Sequence, residues 1–340
     1  DTENILKLRQ VLSTLPAFCK DYFRAIDSTT TTKTRISDAY DIRIFFQFLL
    51  DENPAFKNYA MTDFSVKVLD QIKAVDLEEY MEYLKVYQNG DKTETNGERG
   101  LKRKISALRS VYAYYYKREM IHTNPTVLID VPKIHDKSII RLDTDEVALL
   151  LDYIEHCGDS LTGQKRVYYE KTKERDLAIV TLLLGTGIRV SECVGLDIED
   201  VDFKNNGIKV TRKGGNEMVV YFGEEVEKAL KRYLEVRAGI TPLAGHEHAL
   251  FYSAQRKRMG VQAVENMVKK YSRQITTTKK ITPHKLRSTY GTALYQETGD
   301  IYLVADVLGH KDVNTTKKHY AALDDARRRQ AATAVRLRED

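Results

Sequence analysis

Thr282-Pro283-His284-Lys285-Leu286-Arg287 opens a helix: threonine suits the cap, and proline suits the first helical position, where its missing N–H costs nothing. His284 and Arg287, three residues apart, then share one face in the first turns. Free backbone N–H groups and the positive end of the helix dipole favour an anion there. An imidazole and a guanidinium aimed at such a place would grip a phosphate, although a capped surface helix can carry the same residues idly. Gly185-Thr186-Gly187 is a tight turn that delivers Arg189 to the start of another helix, with Glu192 one turn on. An exposed ion pair would have the same spacing. Val304, Val307 and Leu308 build an apolar face that stops at Gly309, a left-handed cap that sets His310 at a rigid corner. Asn314 then caps a short helix holding Thr315, Thr316 and Tyr320. The chain has 21 tyrosines, so a nucleophile among them is identified by position alone.

Order and spacing resolve what each fragment leaves open. GTGIRVSECVGL, then a hairpin lysine, then HKLR, then LGH, then a tyrosine ten residues past that histidine, closely resembles the tyrosine recombinase (integrase) family. The likeness extends over most of residues 143–325, and LGHKDVNTTKKHY is its most specific stretch.

By that resemblance Arg189 and Arg287 clamp a scissile phosphate, and two permanently charged planar donors suit the negative charge that builds on its oxygens. Lys213, at the hairpin tip, matches the general acid that protonates the departing 5′-oxygen. His284 and His310 match positions that hydrogen-bond the phosphate and assist proton transfer. Glu192 matches the acid that orients the first arginine, and Tyr320 matches the nucleophile. The implied function is a site-specific DNA recombinase that cleaves and rejoins strands through a 3′-phosphotyrosyl intermediate. It would serve Xer-like dimer resolution or the integration and excision of a mobile element. The implied partner is double-stranded DNA with a specific recombination site, held in a two-domain C-shaped clamp, with a homotetramer in the synaptic complex and room for accessory DNA-bending or partner proteins. No cofactor and no metal are implied. Two other readings stand beside it: a non-catalytic architectural DNA-binding protein and a type IB topoisomerase. The family pattern is not followed throughout. Ser288-Thr289-Tyr290 stands where many relatives place a second basic residue, and the polar stretch 158–173 is longer than usual.

The elements that must position these residues read as mainly α with a small antiparallel β-sheet in the C-terminal domain. Residues 34–50 carry Tyr40, Ile44, Phe45, Phe48 and Leu49 at helical spacing, and 76–87 continue in the same style. Gln88–Gly100 is polar and Gly-rich and reads as a loop. A helix over about 101–118 has an apolar stripe of Ile105, Leu108, Tyr112 and Tyr115. Its opposite face presents Arg103, Ser106, Ser110 and Lys117, with Arg99 just before it. Short hydroxyls with long cations suit DNA phosphates, though a solvated face looks the same. Prolines 125 and 132 break the helices. The expected organisation is therefore a helical core-binding domain over 1–125, a linker over 126–142, and a catalytic domain over 143–340. The latter would hold a 175–184 helix, a hairpin in 207–222 around Lys213-Gly214-Gly215-Asn216, and helices from 224 onward. The tail after Leu323, with Ala326, Ala331 and Val335 beside Arg327–Arg329, reads as a helix that is solvated or docks on a neighbouring protomer.

Bulk properties set outer bounds. At 340 residues, 42% hydrophobic and 30% charged, the chain suits two soluble globular domains. No apolar run approaches the roughly 18–20 residues of a membrane span, and no signal peptide is visible. Three scattered cysteines suggest neither a disulfide framework nor a zinc site, so a cytoplasmic setting is expected. A net charge of +5 is mildly basic, weak evidence for a nucleic-acid partner when taken alone. The N-terminal half looks too short for an added arm-binding domain, and a start at Asp1 leaves room for a missing leader.

Overall fold

The computed structural model describes residues 2–134, 139–212, 214–310, 312–314 and 316. The chain divides into two units, Asp1–Asp136 and Lys137–Asp340.

The first unit contains α1 (Thr2–Ser13), α2 (Cys19–Ala25), α3 (Thr32–Glu52), α4 (Val68–Gln71), α5 (Ala74–Tyr83), strands β1 (Val86–Asn89) and β2 (Lys92–Thr95), and α6 (Glu98–Lys117). Thr31 starts α3 by accepting the Thr34 N–H on its side chain. Aromatic side chains fill the core. Phe45 and Tyr80 meet edge to face at 5.1 Å. The buried Tyr112 and Tyr115 hydroxyls donate to Leu69 O at 3.1 Å and Phe18 O at 2.5 Å. The helix expected to reach residue 87 stops at Tyr83, and the expected loop holds the antiparallel hairpin β1–β2, paired from Val86↔Thr95 to Asn89↔Lys92. Only Tyr87 of this hairpin is buried, so its strands carry no apolar alternation to betray them. Arg109 turns away from the rest of α6 to donate to Thr126 O and Ile129 O at 3.0 and 2.9 Å. Ile129 is buried, so residues 126–129 lie against this unit.

The second unit contains α7 (Thr144–His156), α8 (Gly163–Thr186), α9 (Val190–Gly195), strands β3 (Val201–Asp202), β4 (Gly207–Thr211) and β5 (Glu217–Tyr221), then α10 (Glu224–Ala238), α11 (Val261–Ile275), α12 (Pro283–Thr298) and α13 (Ile301–Leu308). The three strands form an antiparallel sheet in chain order. Helix α8 is central, packed against α7, α10 and α12, and Leu177–Leu183 is buried on every side. The stretch expected as a polar insertion is largely the leading half of α8. Tyr169 anchors it, its hydroxyl 3.0 Å from Ile154 O and 2.6 Å from Glu155 O. An ionic group is buried beside it: Arg175 donates twice to Asp176 Oδ1, and Tyr271 donates to Asp176 Oδ2 at 2.9 Å.

The expected fold class, mainly helical with small antiparallel sheets, is the one observed; the first unit adds a hairpin to it. No helix among the described residues is long and apolar enough to cross a membrane.

Candidate active site

The site begins at the elbow between α8 and α9. Gly187 ends α8 with φ +63°, and a Cβ there would stand 2.4 Å from Cδ1 of Tyr290; only glycine fits both conditions. Two residues on, Arg189 caps α9. Its backbone N–H donates to Glu192 Oε2 and its Nη1 to Glu192 Oε1, each at 2.8 Å. The Glu192 side chain is 3% exposed and that of Arg189 36%, so a buried carboxylate holds an arginine whose head still reaches solvent. Arg189 Nη2 also donates to Gly309 O at 3.3 Å.

Arg287 lies one turn after His284 on α12. His284 is exposed, whereas Arg287 is only 4% exposed. The Arg287 guanidinium donates Nη1 to Gly187 O at 2.5 Å and Nη2 to Leu308 O. A buried charge is tolerable on these terms, because its donors are satisfied. Gly309, with φ +61°, ends α13. Its N–H donates to Asp306 O at 2.8 Å, and the next N–H, that of His310, to Ala305 O at 2.9 Å, fixing the corner. His310 Nδ1 lies 2.6 Å from the hydroxyl of the fully buried Thr316. Ser288, Thr289 and Tyr290, which depart from the family pattern, are used structurally. Ser288 donates to His284 O, Thr289 accepts the Leu142 N–H at 3.0 Å, and Tyr290 covers Gly187.

Sequence reading missed one member of the cluster. Arg212 donates to Leu308 O at 2.9 Å and to Val307 O at 2.7 Å, and its Nη1 lies 3.6 Å from Glu192 Oε2. Three arginines thus meet the last carbonyls of α13, the negative end of its dipole. The signal was present in strand period: Ile208, Val210 and Arg212 are buried while Lys209 and Thr211 are exposed. Lys213, Tyr320, Thr315 and the tail after Leu323 lie outside the described residues.

Leu308 and Gly309, adjacent in the chain, anchor Arg287 and Arg189 respectively. Two guanidiniums so fixed can stabilise negative charge on a bound phosphate without reorganising. Among the described residues, no group of three or more His, Cys, Asp or Glu side chains is arranged to hold a metal ion.

In the first unit α6 starts at Glu98, so Arg99 belongs to it. Arg99, Arg103, Ser106, Ser110 and Lys117 are all exposed on one face, joined by Lys102. They differ in how they are held. Arg103 donates Nη2 to Asp41 Oδ1 at 2.8 Å and Nη1 to Ser37 at 2.5 Å. Ser106 and Ser110 donate to the carbonyls of Lys102 and Ser106, one turn back.

Comparison with known proteins identifies the family and the fold. The sequence profile described as "Phage integrase family" matches residues 141–327. Tyrosine recombinase XerC of Caldanaerobacter subterraneus subsp. tengcongensis is 32% identical, over 94% of this chain and 86% of its own. Tyrosine recombinase XerS of Lactococcus lactis subsp. cremoris is 31% identical, over 92% and 93%. A Tn1549 transposon integrase, solved in complex with transposon right end DNA, superposes with a TM-score of 0.66 at 22% identity, over 93% of this chain and 99% of that one. A XerH site-specific recombinase bound to a palindromic difH substrate gives a TM-score of 0.63 at 21% identity, over 89% and 79%. With the profile matched over more than half of its length, and relatives above 30% identical along more than nine-tenths of it, this chain belongs to the phage integrase family of tyrosine recombinases.

Proposed function

We propose that the chain is a site-specific DNA strand transferase whose nucleophile is Tyr320. Arg189 and Arg287 hold the scissile phosphate, and the observation that carries the reading is their anchorage on adjacent residues, Arg287 on Leu308 and Arg189 on Gly309. The Tyr320 hydroxyl oxygen attacks phosphorus as its proton passes to the histidine pair, His284 and His310. The bond from phosphorus to the 5′-oxygen breaks, and Lys213 supplies the proton that oxygen takes up. His284 and His310 hydrogen-bond the phosphate and pass protons; Glu192 keeps Arg189 aimed. The 3′-phosphotyrosyl bond stores the phosphodiester's energy, so a 5′-hydroxyl from a partner duplex reverses the step without an external energy source.

The partner is double-stranded DNA carrying a recombination site, with residues 1–125 as the core-binding domain, 126–142 as linker and 143–340 as the catalytic domain of a clamp. Arg99, Arg103, Ser106, Ser110 and Lys117 meet its backbone, and four protomers form the synapse, with accessory proteins as required. The structural relatives solved with their substrates, a XerH recombinase with a palindromic difH substrate and a Tn1549 integrase with transposon right end DNA, support this partner. Nicked duplexes drawn from the DNA flanking the gene test it, and are expected to yield a covalent protein–DNA adduct at one sequence. Binding without an adduct would point to an architectural protein, and relaxation of any supercoiled plasmid to a topoisomerase. The flanking sequence itself tells dimer resolution from integration or excision of a mobile element.

A further inference from the structure

We infer that Arg212 is a positioning residue for both phosphate-binding arginines, holding each through a partner the two share. This rests on the strand-transfer reading above. Leu308 O accepts from Arg212 Nη1 and also from Arg287 Nη2. Glu192 accepts from Arg189 on Oε1 and faces Arg212 across 3.6 Å on Oε2. The Arg212 side chain is 9% exposed, and its guanidinium faces Glu192, Met218 and the carbonyls of Val307 and Leu308.

Its own position is over-determined. The guanidinium spans Val307 O and Leu308 O and places Nε 3.0 Å from Met218 Sδ on β5. The backbone closes the β4–β5 turn: Arg212 N–H donates to Asn216 O at 2.7 Å, and Arg212 O accepts the Gly215 N–H at 3.0 Å. On the α13 side, a Cβ at Gly309 would stand 2.8 Å from Arg212 Cζ. The left-handed cap thus leaves the space the guanidinium fills. Two neighbouring carbonyls at a helix end match a planar fork; a lysine ammonium is a point donor and cannot span them in the same way. Burial pushes the Arg212 guanidinium below its usual range and Glu192 opposes that shift, Arg189 adding to it. By contact, the one carboxylate faces both arginines at once.

If Arg212 works by aiming the clamp, its loss should matter most where the clamp has most charge to stabilise. Arg212→Met and Arg212→Lys in the full chain are compared with the unsubstituted protein on nicked duplexes of the recombination site. One duplex carries an ordinary scissile phosphate, the other an uncharged methylphosphonate. Adduct formation, DNA affinity and thermal unfolding are measured on each. We expect both variants to cleave the phosphodiester more slowly by roughly tenfold to a hundredfold, the scale of one lost hydrogen bond to a charged group. The methylphosphonate rate should fall by a clearly smaller factor, because only one non-bridging oxygen gains charge there, and the DNA affinity should be unchanged. Arg212→Lys keeps charge and bulk, so it carries the test if Arg212→Met does not fold. Equal proportional losses on both substrates, as a merely structural role would give, overturn the inference, as does full activity in Arg212→Lys. Absence of any adduct with the unsubstituted chain overturns the strand-transfer reading itself.

Discussion

Glu192 serves two arginines at once: Arg189 lies 2.8 Å from one carboxylate oxygen and Arg212 3.6 Å from the other. The second oxygen also takes the Arg189 backbone N–H, so the same carboxylate fixes both the start of α9 and the head of its capping arginine. A like-charged pair is held in a mostly buried place by one anion between them.

Replacing that anion separates its two duties. Glu192→Gln keeps a hydrogen-bond acceptor but removes the charge. The cleavage rate should fall roughly tenfold to a hundredfold, for a charge-assisted bond of about 1.5–3 kcal/mol. DNA affinity should hold. Single-turnover cleavage beside a binding isotherm checks this, and an unchanged rate would remove Glu192 from the site.

Gly187→Ala combines a left-handed backbone with a Cβ 2.4 Å from Tyr290 and 2.9 Å from Leu308. The backbone conformation alone costs about 1–2 kcal/mol. The clash must also shift the carbonyl that receives Arg287 and the chain that leads to Arg189. Urea unfolding should show a loss of more than about 2 kcal/mol, together with reduced cleavage. Wild-type stability would mean the elbow is not as tightly set.

Arg103 and Lys117 share a face of α6 but differ in anchorage. Lys117→Ala should weaken DNA binding evenly across sequences, lower the salt slope by about one, and leave stability alone. Arg103→Ala should do the same to binding and also destabilise by roughly 1–3 kcal/mol, because Asp41, its partner, is 1% exposed at the side chain. Equal melting temperatures for the two variants would contradict the ion pair's structural share.

Asp38, one turn before Asp41 on α3, has its carboxyl pushed up to about 6 by burial, with the Asp41 charge adding and Arg103 opposing. The folded state then holds this proton more tightly than the unfolded chain, whose carboxyl titrates near its ordinary 3.8. Its contribution is fully present below pH 4 and is lost as pH rises to about 6. Asp38→Asn should match wild type in acid and become the more stable of the two above pH 6. Parallel urea midpoints across that range would refute it.

Much of the second unit is written locally in the chain. The Gly187 elbow, the Thr282-Pro283 start of α12, the Gly309 cap and the β4–β5 hairpin each follow from residues whose backbone preferences admit few alternatives. Elements held by distant contacts were harder to read. The leading half of α8 is polar except where Tyr169 reaches α7, and β1–β2 buries one side chain. The site divides the same way. Arg189, Glu192, Arg287 and His310 are readable as a spaced series, while Arg212, next to a lysine, belongs to no such series. Nothing local announces that Val307 and Leu308 will offer it their carbonyls across nearly a hundred residues. In α6, likewise, the basic face was legible, but its tie from Arg103 to Asp41 was not.

Strand transfer as proposed turns on one atom, the phenolic oxygen of Tyr320. Trapping the adduct on a nicked duplex, digesting it and sequencing the modified peptide by mass spectrometry reads which residue bears the 3′-phosphonucleotide. Tyr320 is expected to carry it, and Tyr320→Phe is expected to bind the same DNA without forming any adduct. A nucleotide on another residue, or an adduct that survives Tyr320→Phe, would contradict that role.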